Sequence, residues 1–203
     1  MKFVIGIDEV GRGPLAGPVS VCILAMTVEN YEFFKKLKQR KNLRDSKKLS
    51  EKQRNEWFRE IIIWQEQGFL NFDYETKSAA DIDKFGISVV IKKCIEKGLE
   101  KLKIKTDDQI LLDGSLYAPE KFKNQKTIIR GDEKESIISL ASIVAKVMRD
   151  KFMVNLAKKY PEYSFEVNKG YGTAAHCQAI KKHGLSSVHR KSFCKNFAKT
   201  SHT

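Results

Sequence analysis

Short apolar runs and helically spaced apolar stripes alternate along this chain of 203 residues. Phe3–Ile7 and Val19–Ala25 are β-branched runs that predict two strands, joined by a Gly/Pro-rich connection from Gly11 to Pro18. Phe69–Tyr74 predicts a third strand, and Gln109–Leu112 and Thr127–Ile129 predict two more. Ser50-Glu51-Lys52-Gln53 has the form of a capping box, and Trp57, Phe58, Ile61 and Ile62 follow it at helical spacing. Ile87, Val90, Ile91, Cys94, Ile95, Leu99 and Leu102 mark an amphipathic helix. A long helix is expected from Ile137 to about Tyr160, where Pro161 ends it, and a helical stretch near Thr173–Lys182. Three early strands followed by strands alternating with helices predict a single α/β domain around a mixed sheet. Its core is expected over about 1–162, with a basic helical extension over about 163–203.

Composition narrows the partners. At 41% hydrophobic residues the chain can bury one core. Lys plus Arg number 38 against 25 Asp plus Glu, a formal net charge of +13. An excess of that size suits a polyanion, because each neutralised phosphate releases counterions. It equally describes a lysine-rich protein with no such partner, since net charge speaks to association and not to fold. The run Lys35–Lys41 reads as a solvated helix face. Cys22, Cys94, Cys177 and Cys194 form no C-x-x-C pair, which favours reduced thiols over disulfides or structural zinc. The apolar start is interrupted by Asp8-Glu9, too early for a signal peptide, and no later run reaches membrane-spanning length. The expectation is a soluble cytoplasmic protein that keeps away from membranes and is monomeric.

Acidic residues end two of the apolar runs. Asp8 and Glu9 follow Phe3–Ile7, and Asp113 follows Ile110-Leu111-Leu112. Carboxylates are poor strand formers and costly to bury, and ligands of α/β sheets gather beyond strand ends. Asp150 is a third case, inside a long helix beside Val147 and Met148. Each acid alone reads as a turn former, a cap or a surface charge. Together, in a basic chain, they suggest carboxylates converging on hard cations such as Mg²⁺ or Mn²⁺. Two such ions about 4 Å apart can activate a water and stabilise the leaving oxygen of a phosphodiester. One geometric tension stands: neighbours on a strand face opposite ways, so Asp8 and Glu9 share a site only where the strand ends or bulges. Gly11-Arg12-Gly13 follows at once, and glycines let backbone N–H groups approach a phosphate or sugar. Asp45-Ser46-Lys47-Lys48 and Asn168-Lys169-Gly170-Tyr171-Gly172-Thr173 are polar basic loops; Tyr171 is either a stacking ring or a ring packed over the core edge. His189 lacks a neighbouring nucleophile signature, which argues against a catalytic triad.

The string D-E-V-G-R-G-P-L-A-G-P-V from Asp8 to Val19 resembles the N-terminal motif of the ribonuclease HII (type 2 ribonuclease H) family. So do D-S-K-K-L-S (Asp45–Ser50), L-D-G (Leu112–Gly114), A-S-I-V-A-K-V-M-R-D (Ala141–Asp150), K-G-Y-G-T (Lys169–Thr173) and H-R-K-S-F (His189–Phe193), in the family's order. The resemblance implies a ribonuclease H-like fold, a five-stranded mixed sheet flanked by helices with a helical C-terminal part. It implies that Asp8, Glu9, Asp113 and Asp150 are catalytic carboxylates binding two Mg²⁺ or Mn²⁺ ions. Gly11, Arg12 and Gly13 would sense the ribonucleotide's 2′-hydroxyl, and Tyr171 would stack on the deoxyribose at its 3′ side. Lys47, Lys146, Lys169 and Arg190, inside the same motifs, are the candidate phosphate contacts. The implied activity is endonucleolytic cleavage of RNA in RNA–DNA hybrids, including single ribonucleotides in duplex DNA, leaving 3′-hydroxyl and 5′-phosphate ends. Roles in ribonucleotide removal and primer removal would follow. Glu135 and Met148 depart from the family, which often has a basic residue and Thr there. The related ribonuclease HIII group usually has Glu at the place of Asp150 and an added N-terminal domain, so type HII is the expected match. Two other readings stay open from the residues: a non-catalytic nucleic-acid-binding protein and a nuclease for DNA alone.

Overall fold

The computed structural model describes residues 1–41 and 49–197. Five strands form one sheet: β1 (Phe3–Val10), β2 (Val19–Thr27), β3 (Asn71–Lys77), β4 (Gln109–Asp113) and β5 (Gln125–Ile128), in the order β3-β2-β1-β4-β5. β1 runs antiparallel to β2, and β2 to β3, while β4 lies parallel to β1 and β5 parallel to β4. The sheet is therefore mixed, as expected from three early strands followed by crossover units. β2 is buried along all but its last residue, which explains why Val21–Met26 reads as a continuous apolar run with no alternation.

Both faces of the sheet are covered. One core layer joins Val4, Leu24 and Leu111 to α6 (Ser136–Ala157), with α1 (Val28–Lys41) and α2 (Glu51–Glu66) outside it. The other joins Ile5, Ile7, Ile23 and Ile110 to α4 (Ile87–Lys101) and the short α3 (Ala79–Phe85) before it. Gly6 permits the first contact: a Cβ there would lie 2.4 Å from the Ile137 carbonyl oxygen, so α6 sits directly on β1. A short helix α5 (Gly131–Lys134) leads into α6. Beyond α6 come a 3₁₀ turn at Pro161–Tyr163, α7 (Phe165–Asn168) and α8 (Ala174–His183). A third apolar cluster, including Met153, Tyr163, Phe165 and Ile180, joins this part to the end of α6 and to Ala16.

Several boundaries differ from the sequence reading for local reasons. The third strand begins at Asn71, because the N–H groups of Phe69 and Leu70 are turned onto the Trp64 carbonyl to close α2. It then continues through Lys77 as a polar edge strand, with Glu75 paired to Lys97 and Lys101 of α4. The fifth strand starts two residues earlier than expected, at Gln125, whose side chain folds back onto Ala118 and Phe122 backbone. α3 was not anticipated, although Ser78 and Asp81 form a reciprocal capping box at its start. Among the described residues no helix is long and apolar enough to cross a membrane.

Candidate active site

The parallel ladder between β1 and β4 ends with Ile7 opposite Leu112, so Asp8 and Asp113 come next, side by side, at the strand ends. Asp8 is on the face that meets α6, where Ser142 hydrogen-bonds its carboxyl group. Asp113 Oδ1 accepts the Gly131 N–H at 2.6 Å and the Asp132 N–H at 3.4 Å, which docks α5 against the end of β4. Arg130, left-handed at φ 54°, turns the chain into that helix. Asp132 is thereby buried to 1% exposure beside the two strand-end carboxylates. Burial pushes the Asp8 pKa well above the ordinary carboxylate value; the Ser142 hydrogen bond opposes this, and the charges of Glu9, Asp113 and Asp132 add to it.

Glu9 faces the other way along β1 yet reaches the same cavity. No bulge intervenes, since β1 pairs with β2 in unbroken register from Phe3 to Val10. The resolution lies on the other edge: β4 stops pairing at Ile7, so Asp8 to Val10 overhang an open edge there. Asp8, Glu9 and Asp113 line one cavity of about 430 Å³ with Gly11, Arg12, Gly13, Ser142, Lys146 and Tyr171. Burial raises the Glu9 pKa, against which Arg12 acts, its Nη1 standing 3.5 Å from Glu9 Oε1.

Asp150 does not join this group, which corrects the sequence reading. It lies eight residues beyond Ser142 on α6, about 12 Å further along the axis at 1.5 Å per residue. Its Oδ1 accepts from Lys146 Nζ at 2.8 Å, and it lines the neighbouring cavity with Arg54, Lys151 and Lys169. The fourth carboxylate at the strand ends is Asp132. It was missed because Arg130-Gly131-Asp132-Glu133-Lys134 reads as a charged surface turn, with no apolar run before the acid. Only the Arg-Gly step, which allows a sharp turn, could have flagged it.

Arg190 is a second correction. Far from facing a phosphate, it is fully buried and donates from Nε to the Gly17 carbonyl at 3.0 Å. Its Nη1 and Nη2 donate to the carbonyls of Arg12 at 3.1 Å and Gly11 at 2.6 Å. Burial, followed by the charge of Arg149, pulls its pKa down to about 10, which still leaves it charged at neutral pH. Arg149, also fully buried, donates from Nε to the Pro18 carbonyl and from Nη1 to that of Lys169. Two guanidinium groups thus hold the Gly11–Pro18 loop from inside. Gly11 has φ 84°, and a Cβ there would lie 2.2 Å from Arg149 Nε, so this glycine is required by both conformation and space. Gly13 faces open space instead.

The remaining expected residues divide. Arg12 and Lys146 reach the carboxylate cavity, as does Tyr171, whose ring lies 5.9 Å from the Arg149 guanidinium carbon. Lys169 lines the neighbouring cavity and gives its carbonyl to Arg149. Lys47 lies outside the described residues. Glu135 accepts the Tyr31 hydroxyl at 2.9 Å, and Met148 packs against the core on α6, so neither unusual residue lines the cavity. Sequence reasoning also missed Arg54, which touches both cavities.

Among the described residues no three Asp, Glu, His or Cys side chains stand close enough to enclose a cation as they are. The donor set nevertheless fits a hard divalent ion: all oxygen, negatively charged, and gathered where burial already disfavours the ionised form of Asp8. Carboxylate rotation about χ1 and χ2 is the adjustment such binding needs.

A family model described as ribonuclease HII matches residues 5–196. A ribonuclease HII from Clostridium beijerinckii is 42% identical over 192 residues, 95% of this chain and 67% of that protein. The crystal structure of ribonuclease H2 from Pyrococcus horikoshii OT3 superposes with a TM-score of 0.74 at 24% identity, covering 98% of this chain and 100% of that one. Bst-RNase HIII, solved in complex with Mn²⁺, superposes with a TM-score of 0.69 at 16% identity, covering 98% of this chain and 70% of that one.

Proposed function

Because the chain belongs to the ribonuclease HII family, metal-dependent endoribonucleases that cleave RNA in RNA–DNA hybrids, we propose that it cuts at ribonucleotides joined to DNA, down to one ribonucleotide in a duplex. The observation that carries this reading is the meeting of Asp8, Glu9, Asp113 and Asp132 at the strand ends, beside the Gly11-Arg12-Gly13 loop. Asp8, Glu9 and Asp113, with Asp132 beside them, are the residues that would hold two Mg²⁺ or Mn²⁺ ions. Once bound, such ions supply an activated water and stabilise the leaving 3′-oxygen, giving 3′-hydroxyl and 5′-phosphate ends. The chain's own part is positioning. Buried Arg149 and Arg190 hold the glycine loop so that its backbone and Arg12 meet the 2′-hydroxyl side of the ribonucleotide. Tyr171, across the cavity, offers its ring to the following deoxyribose. Lys146, Arg54 and Lys169 supply positive charge to the flanking phosphates.

The test is incubation with Mg²⁺ or Mn²⁺ and a DNA duplex carrying one ribonucleotide, beside an all-DNA duplex. Cleavage at the 5′ side of the ribonucleotide, with the all-DNA duplex intact, is the expected result. Uncut substrate in both metals, or equal cutting of both duplexes, would contradict the reading. A role in ribonucleotide and primer removal follows from that specificity.

A further inference from the structure

Two buried histidines that the chemistry does not use connect the two halves of the proposed substrate-reading surface. His176 on α8 is 0% exposed and His189 is 2% exposed, and their Nε2 atoms lie 3.1 Å apart. His176 Nδ1 is 2.8 Å from the carbonyl oxygen of Tyr171. His189 Nδ1 faces the Ser186 N–H at 3.0 Å and its hydroxyl at 2.8 Å. The rings of Tyr163 and Phe165 close around the pair, at 4.7 Å from His189 and 5.4 Å from His176 respectively.

These contacts admit one arrangement of protons. A carbonyl only accepts, so His176 Nδ1 carries the hydrogen and its Nε2 is bare. His189 Nε2 must then donate, which leaves its Nδ1 bare to accept from Ser186. Every ring nitrogen is satisfied with both rings neutral. Burial, followed by the neighbouring His176, pulls the His189 pKa down to about 4, and burial lowers that of His176. Tyr163 packs on His189, with His183 across the Tyr163 ring, and Arg190 and Cys177 are the next residues along the chain from His189 and His176.

Each end of this relay holds one wall of the cavity. The Tyr171 segment leans on the glycine loop through Gly170, whose carbonyl accepts from the Leu15 and Ala16 N–H groups. The His189 segment bridges Ala16, gives the Val188 carbonyl to the Gly17 N–H, and leads directly into Arg190, which grips Gly11, Arg12 and Gly17. We infer that His176 and His189 are positioning residues that lock the Tyr171 segment in register with the Gly11–Pro18 loop, setting the distance between the ring and the 2′-hydroxyl reader. The functional half of this inference rests on the activity proposed above. A wall displaced by about 1 Å is enough to cost up to a hundredfold in rate.

The experiment has two arms. Long-range ¹⁵N–¹H spectra of the full chain at pH 7 should show His176 as the Nδ1–H tautomer and His189 as the Nε2–H tautomer; any other pairing overturns the relay, whatever the enzyme does. In the second arm, His176→Asn keeps a donor where Nδ1 stood, whereas His176→Phe keeps bulk without one. On the single-ribonucleotide duplex, the Phe variant should lose about tenfold or more in kcat/KM, and the Asn variant, which keeps the Tyr171 contact but not the acceptor for His189 Nε2, should lose several-fold less than the Phe variant. Melting temperatures of both are measured alongside. Equal activity losses in the two variants, losses that track melting temperature alone, or a fully active Phe variant overturn the positioning role. If wild type itself leaves the duplex uncut, the activity proposal and the positioning role both fall, while the tautomer result stands separately.

Discussion

Replacing Arg190 by alanine removes three hydrogen bonds from a charged donor to the carbonyls of Gly11, Arg12 and Gly17, at 2.6, 3.1 and 3.0 Å. Bonds of this kind contribute about 1.5–3 kcal/mol each, so the gross loss is roughly 4.5–9 kcal/mol. Relief from burying a guanidinium offsets part of it, and the net cost, three carbonyls left without their donor included, should be about 3–5 kcal/mol. At about 2–4 °C per kcal/mol for a chain of this size, the melting temperature should fall by roughly 6–20 °C. Arg190→Lys should recover little, because one ammonium group cannot reproduce the fork that spans three carbonyls. The assay is calorimetry or circular dichroism, beside duplex binding at several salt concentrations. If Arg190 holds the loop and touches no phosphate, the slope of log affinity against log salt stays unchanged. A melting temperature within about 2 °C of wild type, together with a slope reduced by about one, would refute the reasoning and return Arg190 to the role of a phosphate contact.

Gly11→Ala should destabilise by about 2–4 kcal/mol, from left-handed strain at φ 84° and from its Cβ falling 2.2 Å from Arg149 Nε. Gly13→Ala, which meets open space, should keep the melting temperature within about 2 °C while lowering kcat/KM on ribonucleotide substrates. Equal melting temperatures for the two variants would count against this account of the loop. The raised Asp8 pKa means that the folded chain holds that proton to higher pH than the unfolded chain, so this contribution to stability is lost as pH rises above the ordinary carboxylate range. In EDTA, Asp8→Asn should therefore gain stability relative to wild type between pH 4 and pH 8, by an amount that grows with pH. A gap that is constant, or reversed in sign, would contradict the burial and, after it, the neighbouring charges that raise this pKa.

Asp8, Glu9 and Asp113 were legible in the sequence because an acid directly after an apolar strand is a local anomaly with a local cause. Asp132 was not: it is buried by the docking of α5 on Asp113, a contact between residues far apart in the chain. Asp150 misled for the opposite reason. Its apolar helix neighbours suggested an inward acid, but α6 advances about 1.5 Å per residue, and Asp150 lines the neighbouring cavity, where its carboxylate accepts from Lys146 one turn back. The basic residues show a similar limit. Nothing in the letters of His189-Arg190-Lys191 tells a guanidinium aimed at phosphate from one aimed at carbonyls of a loop 170 or more residues earlier. The strand pattern succeeded where burial is on both faces, as in β2, and slipped by two residues at β3 and β5, where polar edge positions and side-chain folding set the ends.

The claim that Asp132, and not Asp150, completes the carboxylate group is tested most directly by Mn²⁺ titration of the metal-free protein, read by electron paramagnetic resonance. Asp132→Asn should weaken binding by about tenfold or more, the scale on which metal sites respond even to outer partners, while Asp150→Asn should stay within about threefold of wild type. Weakened binding in Asp150→Asn with Asp132→Asn unaffected would contradict the account.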